Sequence, residues 1–287
     1  MNAARAPAPV CLRRVLDPHE LSQRDPCDLS VALGSFWPNS RTSFESHVIK
    51  GFKECCPASR FEPQISALCE FYAELVLRAL DGRRIGAVAR VLSAAEKQPE
   101  HDRPQSLLVR RLCCRAGAED ITGVFFKSES RPAMRLVPRL AGPGALKARI
   151  DYVLQDLFVR PCSVGGTILL IDDICNLGAS MTVYASALKR FAGAQRVLCV
   201  NLAATRFAGG RDGRGMLKLE LAGLRGRPGL EQAWLDSASV WHTVRECPFV
   251  NPPGSPEMRF LAERNAAPCP RCASPGKPER RWWRTWG

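Results

Sequence analysis

The chain has 287 residues, 46% of them hydrophobic and 24% charged, a content that fits a globular protein able to bury a core in one large domain or two small ones. No apolar run is long enough to cross a bilayer, and the N-terminal stretch lacks the apolar centre of a secretory signal. The 13 cysteines are odd in number and scattered through apolar contexts, so a cytoplasmic chain with mostly reduced, buried thiols is expected. A formal net charge of +13 points either to anionic partners (phosphorylated substrates, nucleic acid) or to Arg enrichment throughout the chain.

Residues 1–58 show weak periodicity, with a turn at 35–40 (Ser-Phe-Trp-Pro-Asn-Ser), and read as an N-terminal extension. Residues 62–81 predict a helix with Ile65, Leu68, Tyr72, Leu75 and Val76 on one face and Asp81-Gly82 as its stop. A strand over 85–92 follows, then a polar loop running to Pro104, a helix over about 105–116 and a strand over 121–126. Turn residues crowd 138–144, as in a mobile segment.

Residues 167–180 (Thr-Ile-Leu-Leu-Ile-Asp-Asp-Ile-Cys-Asn-Leu-Gly-Ala-Ser) are the most informative stretch. An apolar run over 168–171 predicts a buried strand, Asp172 and Asp173 follow at its end, a short loop holds Gly178, and Ser180 opens a helix stopped near Gly193. A second apolar strand over 197–202 completes a right-handed βαβ unit with a parallel sheet. Ligands on such sheets sit at the carboxyl ends of strands. There, a carboxylate pair can hold sugar hydroxyls or a metal, and a helix N-terminus offers N–H groups to a phosphate. A Walker B strand or the edge of a receiver domain also ends in acids, but the chain has no G-x-x-x-x-G-K-[ST] to complete a P-loop.

This stretch resembles the phosphoribosyl-pyrophosphate (PRPP) loop of type I phosphoribosyltransferases: four apolar residues, two acids, an apolar pair, small hydroxyl residues, Gly, any residue, then Ser or Thr. The resemblance implies that Asp172 and Asp173 bind the ribose hydroxyls. It also implies that Asn176, Leu177, Gly178, Ala179 and Ser180 cradle the 5′-phosphate. Asn176 and Leu177 stand where the pattern usually carries Thr, Ser or Ala, and Cys175 replaces an apolar or aromatic residue. The wider layout resembles the ComF-like branch, in which an Arg-Pro pair, here Arg103-Pro104, begins the helix after the first core strand. It implies Ser93, Lys97 and Arg103 on the pyrophosphate side, and a hood over 129–160 from which Lys147 and Arg149 could close over the ligand. A solvated loop whose charges contact nothing is the other reading of the 93–103 segment.

Toward the C-terminus, His242 and Cys247 precede Pro-Cys269-Pro-Arg-Cys272. A C-x-x-C presents two thiolates on one turn, and a His with a further Cys could complete a tetrahedral set for zinc; alone, the C-x-x-C could equally be redox-active or unliganded. The arrangement resembles the small zinc module of Ada-type methyl-transfer proteins, which implies a structural Zn²⁺ on His242, Cys247, Cys269 and Cys272. The tail over 277–287 interleaves Arg280, Arg281 and Arg284 with Trp282, Trp283 and Trp286. It suits single-stranded nucleic acid, a membrane surface or a protein groove, or is simply disordered.

The expected architecture is thus an α/β parallel-sheet phosphoribosyltransferase fold over 59–235, after the 1–58 extension. A zinc-knuckle module over 236–275 and a basic aromatic tail over 276–287 follow it. The expected function is binding of PRPP, or a related phosphorylated ribose, with Mg²⁺ and displacement of pyrophosphate at ribose C1. The alternative is a non-catalytic PRPP or nucleotide sensor, or a nucleic-acid-binding protein related to ComF-type DNA-uptake factors. A homodimer is a further candidate assembly.

Overall fold

The computed structural model describes residues 7–38, 44–61, 64–137 and 144–206, and in the C-terminal part 233–236, 238, 240–242, 247, 257–259 and 267–270. Its elements, in chain order, begin with strand β1 (Val10–Cys11), helix α1 (Pro18–Gln23), β2 (Leu29–Phe36), α2 (Phe44–Glu54) and α3 (Gln64–Ala79). Next come β3 (Ala87–Arg90), α4 (Pro104–Ala116), β4 (Glu119–Asp120), β5 (Phe125–Lys127), α5 (Ala145–Leu154) and β6 (Leu157–Val159). Then follow β7 (Thr167–Cys175), α6 (Ala179–Phe191) and β8 (Arg196–Thr205). The last strands are β9 (Ala233–Leu235), β10 (Val240–His242), β11 (Glu257–Arg259) and β12 (Ala267–Pro268).

The main sheet is the parallel α/β sheet that the sequence predicts, with five strands in the order β2-β8-β7-β3-β4, every pairing parallel. Because both faces are covered, its inner strands carry unbroken apolar runs, 168–171 in β7 and 197–200 in β8, rather than an alternation. Leu169 and Ile171 of β7 pack with α2, α3 and α4, through side chains such as Phe52, Tyr72 and Leu108. Ile168 and Leu170 pack on the other face with α5 and α6, through Val153, Val183 and Leu188. All four β7 residues are fully buried, so the central strand is pinned from both sides.

Several expectations need correction. Residues 1–58 are no extension: β2 forms the sheet edge against β8, from Leu29↔Leu198 to Phe36↔Thr205, and α2 buries Val48, Ile49 and Phe52 in the core. Strand β7 does not stop at the acids: it pairs with β8 as far as Cys175↔Ala204. The strand predicted over 121–126 is a 3₁₀ turn (Thr122–Val124) followed by the short β5. The cause is local. The Asp120 carboxylate accepts from Thr122 N–H at 2.9 Å and the Thr122 hydroxyl accepts from Arg90 N–H at 3.2 Å, which turns the chain away from the sheet. β5 joins instead an antiparallel three-stranded sheet, β1-β6-β5, beside α5 in the segment expected as the hood. Finally, the boundary set at 235/236 cuts a hairpin: β9 pairs antiparallel with β10 in a four-stranded sheet of order β11-β9-β10-β12. Among the described residues no helix is long and apolar enough to cross a membrane.

Candidate functional site

β7 is the central strand of the sheet, and its carboxyl edge carries the two acids. Alternation of side chains along a strand puts Asp172 on the face of Ile168 and Leu170 and Asp173 on the face of Leu169 and Ile171. Their surroundings differ accordingly. Asp173 is buried, and its Oδ2 lies 2.7 Å from Lys53 Nζ at the end of α2, while its Oδ1 accepts from Ile174 N–H at 2.6 Å. Asp172 is half-buried, and its Oδ1 accepts from Asp173 N–H at 2.8 Å. Burial first, and then the charge of Asp173, push the Asp172 carboxyl above the ordinary carboxylate range, against the opposing pull of Lys53. The Cys175 thiol at the end of the strand is raised to about 12, mainly by burial and also by Asp172.

Two further polar groups belong to this edge. Asn201 of β8 is the register partner of Asp172, and its Oδ1 is buried with no hydrogen-bond partner among the described residues. On the opposite side, beyond β3, the Ser93 hydroxyl is likewise buried and unpartnered among them. Buried polar atoms are normally satisfied, so these two orphans, one on β8 and one in the loop after β3, are groups that a polar ligand or water would complete.

After β7 the chain turns through Asn176 and Leu177, both exposed, to Gly178 at φ +81°, the left-handed conformation that glycine adopts without a Cβ penalty. Gly178 caps α6 with no side chain, so no side chain of its own competes for the first-turn N–H groups of a 13-residue helix. Ala179 is buried and Ser180 half-buried in that first turn. The five residues predicted to cradle a phosphate therefore do form one turn at the carboxyl edge.

The loop after β3 is stiffer than a solvated loop. Glu96 is fully buried and forms an ion pair with Arg90; it also accepts from Ser93 N–H at 2.6 Å and Glu100 N–H at 3.1 Å. Those contacts hold its carboxyl below the usual range although burial acts in the opposite direction. Lys127 Nζ donates to Ser93 O at 2.5 Å, and burial lowers this ammonium to about 8. Of the residues expected on the pyrophosphate side, Arg103 serves this frame: its Nε lies 2.7 Å from Glu100 and 3.3 Å from Glu96. Lys97 is exposed, as is Lys147 of α5, whereas Arg149 is half-buried.

Sequence reasoning missed Lys53 and Asn201. Asn201 had a signal, a lone amide inside the apolar run over 197–202. Lys53 had none, because its pairing with Asp173 depends on where α2 docks.

The second constellation lies in the C-terminal sheet. One donor atom each from His242, Cys247 and Cys269 lie within 4.8 Å of one another, and all three residues are buried. The Cys247 and Cys269 sulfurs are 3.8 Å apart, a contact far longer than a disulfide bond. His242 Nδ1 is buried with no hydrogen-bond partner among the described residues, which fits a lone pair reserved for a metal. Cys272 and the basic tail lie outside the described residues.

No family model matches the chain, and no curated protein matches it. Solved structures that match it include two adenine phosphoribosyltransferases. One is 14% identical, with 54% of this chain and 79% of that chain covered and a TM-score of 0.32. The other, from Saccharomyces cerevisiae and complexed with D-2,5-dideoxy-2,5-imino-altritol 1,6-bisphosphate and adenine, is 15% identical. It covers 56% of this chain and 82% of that chain with a TM-score of 0.33. Overlaps this partial do not carry the fold, which stands on the strand order and register of the chain itself.

Proposed function

We propose that the carboxyl edge of β7 binds PRPP, or a related phosphorylated ribose, and that the chain acts as a phosphoribosyltransferase. The observation that carries this reading is one continuous surface: an acid edge at Asp172 and Asp173, running directly into the Gly178 turn that opens α6. The acids suit ribose hydroxyls, Asp172 being the more accessible of the two, and the turn suits the 5′-phosphate. The unpartnered Asn201 and Ser93 atoms flank the same edge.

In the proposed reaction the bond from ribose C1 to the pyrophosphate oxygen breaks, and its electron pair leaves with pyrophosphate. A nitrogen nucleophile or water forms the new bond at C1 and loses its proton. Carboxylate oxygens and phosphates are the hard donors that Mg²⁺ takes; bound with PRPP, that ion would offset charge on the leaving group. The chain's own part is positioning and electrostatics. Asp172 orients the sugar and faces its developing positive charge, the turn at 176–180 anchors the phosphate end, and the exposed Lys97 is available to the pyrophosphate.

The test is incubation of the full chain with PRPP, Mg²⁺ and a panel of nucleobases. Release of pyrophosphate that is lost in Asp172→Ala is expected. No release, together with a melting temperature indifferent to PRPP, would reject the reading. Exposure of Leu177 at 46%, where the pattern carries a small or hydroxyl residue, favours one second reading, a non-catalytic PRPP or nucleotide sensor. A rise in melting temperature with PRPP but without pyrophosphate release would identify it.

For the C-terminal sheet we propose a structural Zn²⁺ held by His242, Cys247, Cys269 and Cys272, since one imidazole with thiolates is a zinc-type donor set and a closed set leaves no position for a reacting water. Single-stranded nucleic acid at the basic tail, a homodimer and a cytoplasmic location complete the proposal.

A further inference from the structure

Asp236 is buried at the turn between β9 and β10, and its two carboxylate oxygens have separate tasks. Oδ1 accepts from Ala238 N–H and Val240 N–H, both at 2.9 Å, while the Asp236 N–H donates to Val240 O at 3.1 Å. These three bonds tie the hairpin whose register pairs Leu235 with Trp241 and Trp234 with His242. Oδ2 lies 3.1 Å from His242 Nε2, with both side chains withdrawn from solvent. The opposite ring nitrogen, Nδ1, is the orphaned atom, and His242 is grouped with the Cys247 and Cys269 sulfurs.

An ionised carboxylate only accepts, so Nε2 must carry the proton in this pair. A neutral imidazole then has its lone pair on Nδ1. We infer that Asp236 is a positioning residue for the metal centre: it holds His242 in the Nε2–H tautomer, so that the ring ligates zinc through Nδ1. The inference rests on the zinc reading above and adds which ring nitrogen binds and what fixes it. Because the same carboxylate closes the hairpin, the centre and the β9–β10 turn are specified by one side chain.

Asp236→Asn separates the two tasks. The amide oxygen can keep accepting from Ala238 and Val240, which leaves its NH₂ facing His242 Nε2. The ring is then driven to accept at Nε2 and to carry its proton on Nδ1, the nitrogen that should bind the metal. The experiment uses the full chain loaded with Zn²⁺ alone, in competition with a chromophoric chelator, and ¹⁵N-labelled protein to read the protonation of each His242 ring nitrogen. In the wild type we expect about one equivalent of zinc, a proton on Nε2 and none on Nδ1. In Asp236→Asn we expect zinc affinity about 10- to 100-fold lower, with the β9–β10 amide pattern restored at saturating zinc. A variant that binds zinc as tightly as the wild type would overturn the inference, as would zinc-loaded wild type with its proton on Nδ1. Wild type that takes up no zinc would reject the zinc reading itself, and the inference with it.

Discussion

The edge of β7 and the hairpin of β9 and β10 both present buried polar groups, but they are supported in opposite ways. Beneath Asp172 the strand is fixed by fully buried apolar residues on two faces, and the acids are added where that packing ends. In the C-terminal sheet the buried cluster among the described residues is Cys247 and Cys269, with Val240 against it and His242 beside them. There, among the described residues, the buried cluster is made of candidate ligands rather than of aliphatic and aromatic side chains. A site grafted on a finished core can lose its polar groups without unfolding, whereas a site that replaces a core cannot.

The largest effect should therefore come from the weaker scaffold. Replacing Cys269→Ser and Cys272→Ser together should remove about one equivalent of zinc. Structural zinc contributes on the order of 10 kcal/mol to small modules at neutral pH, so amide protection in β9 to β12 should collapse while the main transition stays put. Hydrogen exchange with metal analysis reads both. Stoichiometric zinc retained in that variant would remove the metal from the comparison.

At β7 the expected sign is reversed. The Asp172 carboxyl is held above its ordinary value of 3.8, so between about pH 4 and the raised value the folded chain binds more protons than the unfolded one. Stability attributable to this group falls as pH rises through that window. Asp172→Asn removes the cost, and allowing for partial exposure it should stabilise the ligand-free protein by about 1–2 kcal/mol at pH 8, with little change at pH 4. The same variant should lose the PRPP-induced rise in melting temperature. Destabilisation at pH 8 would show that Asp172 is a structural acid and that the edge is not strained for ligand.

How far these two regions could be read from sequence follows the range of the forces involved. The apolar run over 168–171, the helical face of Leu68, Tyr72 and Leu75 and the helix stop near Gly193 are local signals, and each meets its element. The five-residue turn with Gly178 is local too. β2 escaped notice because Leu29-Ser-Val-Ala-Leu-Gly-Ser-Phe is a weakly patterned edge strand whose partner β8 lies far along the chain. The turn at Thr122 escaped because two side-chain-to-backbone bonds outweigh the β preference of its neighbours. The His and Cys residues that the structure groups together were named from their spacing, but Asp236 could be assigned only once the hairpin register set it against His242.

The smallest effect tests how the turn over 176–180 holds its ligand. Leu177 is exposed, so Leu177→Thr should change stability by less than about 0.5 kcal/mol. If the turn cradles a phosphate, the added hydroxyl supplies a donor to a charged group, and such a bond contributes roughly 1.5 kcal/mol or more when well aligned. With the entropy of ordering the side chain set against it, PRPP should bind about 3- to 10-fold more tightly, as titration calorimetry would show. Unchanged affinity would mean that the phosphate is held by backbone N–H groups alone. Pyrophosphate release that appears only in the variant would place the wild-type chain with the sensors, since one side chain would then separate binding from turnover.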